Sequence, residues 1–117
     1  LIYGRFLRMK NNIKGTWQII QWCPDLATRE WVNIGVGFND GQSYSFKYIT
    51  KIEKINMIYG DGMGDHLNAV ISLVIGFFSK NIFDFSPQIK LIEVGFSQGA
   101  TINEILDRLF DRIVTFG

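Results

Sequence analysis

Residues Trp17 to Phe38, WQIIQWCPDLATREWVNIGVGF, decide the fold. The second half alternates Val32, Ile34, Val36 and Phe38 with Trp31, Asn33, Gly35 and Gly37, a period of two that belongs to a strand with one apolar face. The opposite face carries a Trp, an Asn and two glycines, a shallow floor on which another backbone can approach closely. The first half, Trp17 to Trp22, reads as a strand covered on both sides: Trp17, Ile19 and Gln21 point one way, Gln18, Ile20 and Trp22 the other. Between the halves, Pro24 presets a turn angle and Asp25 can bond back to the backbone, so a hairpin is expected.

Outward from the hairpin, Asn39-Asp40-Gly41-Gln42 places an Asp-Gly pair between two alternating runs, a strong hairpin signal. It leads into a third strand, Ser43 to Ile49, with Tyr44, Phe46 and Tyr48 on one face. The period then changes. Ile52, Ile55 and Tyr59 sit at helical spacing, and the glycine-rich run from Gly60 to Gly64 ends that helix. Asp65 is read as the N-cap of a second helix from His66 to about Lys80. This helix is apolar nearly all round, which asks for cover by the rest of the domain or by a partner, and points to self-association through residues 67–78. Asn81 to Pro87 reads as a loop burying Phe83 and Phe85. Lys90 to Phe96 has strand alternation, and Thr101 with Glu104 forms a capping box before a helix striped by Ile102, Ile105, Leu106, Leu109, Phe110, Ile113 and Val114. Lys10 to Gly15, on the other side of the hairpin, reads as a polar lead-in.

The predicted architecture is α+β, in the order β-β-β-α-α-β-α: an antiparallel sheet, a three-strand meander plus a fourth strand, with helices packed on one face. Of the 117 residues, 47% are hydrophobic and 15% aromatic. That suffices for one domain with a core of its own. Met9 opens a natural-looking start, so residues 1–8 are expected to be an upstream extension or an expression remnant, and 9–117 the domain. Lys and Arg number 12 against 11 Asp and Glu. So balanced a chain has no long-range field to capture nucleic acid. A single cysteine, Cys23, gives no disulfide framework, and the longest apolar run is about half of the roughly 20 residues a membrane helix needs. A cytoplasmic protein is expected.

Pro24, Asp25, Glu30, Val32, Asn33, Gly35 and Val36, with Leu106-Asp107-Arg108-Leu109-Phe110 near the end, resemble an uncharacterised bacterial family known as domain of unknown function 3037. The likeness covers about a third of the chain, at its two ends. Cys23 stands where the family more often has valine, and Arg29 precedes Glu30 without a spacer. The resemblance implies no established activity. It implies an accessory role beside HipA-like kinases, in a toxin–antitoxin or phage-defence setting.

Chemical motifs are few. Gly95-Phe96-Ser97-Gln98-Gly99 matches the G-x-S-x-G of a hydrolase nucleophile elbow and lies between a predicted strand and a predicted helix. A triad would need a later acid and histidine, whereas the only histidine, His66, precedes Ser97; a turn leading to the Thr101 cap is the favoured reading. A lone histidine and a lone cysteine give no zinc pattern, and the glycine runs lack a phosphate-binding signature, so no metal and no cofactor are expected. Trp17, Trp22, Trp31, Tyr44, Phe46 and Tyr48 could stack single-stranded nucleic acid, but strand aromatics are more often core. The polar set Asp25, Arg29 and Glu30 with Trp31, Asn33, Gly35 and Gly37 is the candidate binding surface. The leading reading is a non-catalytic protein-binding module, with a small serine hydrolase and a single-strand binder as alternatives.

Overall fold

The computed structural model describes residues 12–78 and 87–114. Seven elements follow in the expected order: β1 (Ile13–Trp22), β2 (Val32–Asn39), β3 (Tyr44–Tyr48), α1 (Ile52–Tyr59), α2 (Met63–Phe78), β4 (Ile89–Gly99) and α3 (Ile102–Ile113). The strands form one antiparallel sheet in the order β3-β2-β1-β4, so the chain is an α+β domain with β1 and β2 inside and β3 and β4 at the edges.

The central hairpin forms as its alternation requires. Trp22, Ile34, Val36 and Phe38 are fully buried, and the core continues through Ile20, Ile89, Ile55, Leu67, Ile71 and Val74. The register holds two irregularities. Ile20 faces Gly35 while Gln21 faces Asn33, leaving Ile34 as an extra residue on β2; Trp17 faces Gly95 while Gln18 faces Glu93, leaving Val94 extra on β4. Such bulges bend a strand and increase its twist.

Both β1 and β4 are longer than the sequence pattern suggested, for one shared reason. Ile13, Lys14 and Gly15 pair with Gly99, Gln98 and Ser97, so the last three residues of the expected polar lead-in and the expected Gly-Ser turn face each other in one ladder. Backbone pairing here overrides the weak apolar content of both segments.

At the tip between β2 and β3, Asp40 Oδ1 accepts the backbone N–H groups of Gln42 and Ser43, each at 2.9 Å. These bonds, Ser43's first, hold the Asp40 carboxyl below its ordinary range. The turn's share of stability is therefore complete above the ordinary carboxylate range and fades as acid protonates Asp40.

The second helix begins earlier than expected. Asp65 lies inside the first turn of α2, because the helix starts at Met63 and Asn56 of α1 accepts the Gly64 N–H at 2.8 Å, doing the work assigned to a cap. The predicted burial of Phe83 and Phe85 lies outside the described residues. In α3 the capping box is half made: Thr101 Oγ1 accepts the Glu104 N–H at 3.1 Å. This helix buries Ile105, Leu106, Leu109 and Phe110, each contributing roughly 1.5–3 kcal/mol as an upper bound. It lies over β2 and β3, tied by Lys47 to Asp107 at 2.8 Å and by the Lys47 ammonium over the Phe110 ring at 4.8 Å. The α1 helix meets the end of β1 through Tyr59, whose ring stands edge-on to Trp22 at 5.4 Å.

Candidate functional site

The polar set singled out in the sequence divides into three places. Asp25, Arg29 and Glu30 lie exposed in the loop between β1 and β2. Asp25 organises that loop: its Oδ1 accepts the Ala27 N–H at 2.9 Å, and its carbonyl accepts from the Thr28 backbone N–H, the Thr28 hydroxyl and the Cys23 thiol. Arg29 adopts φ 55°, a left-handed conformation unusual for a side chain of its size. No ion pair joins Arg29 to Asp25 or Glu30; the loop is shaped by hydrogen bonds between the Asp25, Thr28 and Cys23 side chains and its own backbone. Glu30 is felt from α1, since burial first and the Glu30 charge second raise the Tyr59 phenol above its ordinary value.

Trp31 and Asn33 stand at the start of β2 among groups from three other elements. Lys90 of β4 holds its ammonium 3.9 Å from the centre of the Trp31 ring, a close cation–π geometry. Asn33 Oδ1 accepts from Gln21 Nε2 at 2.9 Å, and its Nδ2 donates to the Ile113 carbonyl at 3.4 Å, at the end of α3. Gln21 and Lys90 were absent from the expected set, because sequence spacing does not reveal which residues of β1 and β4 will stand opposite Asn33.

Gly35 and Gly37 do permit a close approach, and the chain's own edge strand makes it. A Cβ on Gly35 would lie 2.7 Å from the Lys47 carbonyl oxygen and 2.9 Å from Tyr48 Cβ; one on Gly37 would lie 3.1 Å from the Phe46 ring and 2.9 Å from Gln18 Oε1. Tyr44 and Phe46 stack in parallel at 6.0 Å beside them. Both glycines are buried.

Ser97 is inside β4, paired with Gly15, not on the strand-to-helix turn that a nucleophile elbow requires. Arg108 of α3 donates to its Oγ and to the Gln98 carbonyl, both at 2.9 Å. A guanidinium supplies hydrogen bonds and cannot take the hydroxyl proton. His66 is engaged elsewhere, with Gln88 at 3.3 Å. Among the described residues no three His, Cys, Asp or Glu side chains converge as a metal site, and Cys23 is buried. Of the aromatic platform, Trp17 and Trp22 are core residues, closed to stacking bases.

A different surface emerges at the other edge. Beyond β4 no described strand continues the sheet. Ile92 and Val94 are exposed there, and Phe96 is 88% exposed. From their partners, Ile92 opposite Ile19 and Phe96 opposite Thr16, these two side chains leave the strand on opposite faces. Lys90 and Glu93 precede the bulge at Val94 on the same strand. The strand pattern was visible in the sequence; its position at an edge was not.

No helix among the described residues is long and apolar enough to cross a membrane. Compared with protein-family models, curated proteins and solved structures, the chain matches none.

Proposed function

We propose that this chain is a non-catalytic protein-binding module whose contact is the outer edge of β4, where a partner lays down an added strand. The observation that carries the reading is an eleven-residue edge strand without a described neighbour on its outer side, bearing exposed Ile92, Val94 and Phe96. Unpaired strand edges recruit extended chains through main-chain hydrogen bonds, while side chains on alternate faces select among them. The bulge at Val94 and the charges of Lys90 and Glu93 restrain indiscriminate pairing. The cation–π pair of Lys90 and Trp31 adjoins the same strand and extends the surface toward the Asp25–Glu30 loop.

The resemblance of the two chain ends to domain of unknown function 3037 suggests the first partner to offer, a HipA-like kinase in a toxin–antitoxin or phage-defence system. The test is binding of such a kinase to the full chain, with hydrogen exchange read on the complex. The reading expects a stoichiometric complex, slowed exchange at the β4 amides and at least tenfold weaker binding by Phe96→Asp with an unchanged melt. No complex, or one that Phe96→Asp and β4 exchange leave untouched, overturns it.

A further inference from the structure

We draw no further inference here: the strongest candidate, the apolar surface left by Met57 and Ile58 of α1 and Leu73 of α2, all exposed, is an unpartnered helix face, and nothing in the structure shows what covers it.

Discussion

β3 is five residues long and β4 eleven, and the two end the same sheet in different ways. β3 is clasped from both sides. Lys47 reaches α3 through Asp107 and Phe110, while on the other face Tyr48 and Phe46 settle over Gly35 and Gly37. β4 is long, interrupted by one extra residue and apolar at Val94 and Phe96, with α3 holding only its far end through Arg108. The difference separates an edge spent on packing from one beyond which no described strand follows.

The largest effect should fall on the packed edge. In Gly35→Ala the new methyl meets backbone at Lys47 and the Tyr48 Cβ, neither of which can swing away, so we expect a loss of about 1–3 kcal/mol in a denaturant melt. At Gly37 the first atoms met are the end of Gln18 and the Phe46 ring, which can rotate, so Gly37→Ala should cost less than Gly35→Ala. A Gly35→Ala melt identical to wild type would mean that β3 is not rigidly seated, and the contrast between the edges would go with it.

The Lys47–Asp107 pair offers a gentler probe of the same edge. Both side chains are partly exposed, at 37% and 61%, so screening limits what the pair contributes. A double-mutant cycle with Lys47→Met and Asp107→Asn should return a coupling of about 0.5 kcal/mol that shrinks with added salt. A salt-independent coupling above about 2 kcal/mol would show that the clasp on β3 acts as a buried contact and not as a surface tie.

On the β4 edge the expected stability change is smaller still. Phe96 makes so little contact that Phe96→Asp should stay within about 0.5 kcal/mol of wild type. A markedly lower melting midpoint would reveal that Phe96 is part of the core, and β4 could no longer be contrasted with β3 as the edge with exposed apolar side chains.

How much of this was legible depended on the range of the forces involved. The alternation of Val32 to Phe38, the Asp40-Gly41 turn and the Thr101 cap are local signals, and each appears where the chain announces it. Strand neighbours are not local. Nothing within IKLIEVGFSQG tells that β1 lies on one side and no described strand on the other, nor that Val94 is the extra residue. The glycines at 35 and 37 marked a close approach correctly in kind, but sequence could not distinguish a foreign backbone from Tyr48 and Phe46. The apolar character of α2 overstated its burial: Leu67, Ile71 and Val74 are inside, while Leu73 is 61% exposed.

Gln18 spans the two halves of the contrast, and its replacement is the one expected to cost no stability. It is 1% exposed in the middle of β1, with Nε2 donating toward β4 at Glu93 (3.1 Å) and Oε1 lying over Gly37 toward β3 without a hydrogen-bond partner. An unsatisfied buried acceptor costs about 1–3 kcal/mol, whereas the bond to an exposed carboxylate returns to water when lost. Gln18→Met keeps the length, removes the orphan and frees Glu93, so the two effects oppose and the melt should be unchanged or up to about 1 kcal/mol more stable. A loss above about 2 kcal/mol would mean that Oε1 has a partner in solution, a bound water being the simplest, and that β1 links its two edges through a polar bridge whose removal each edge would feel.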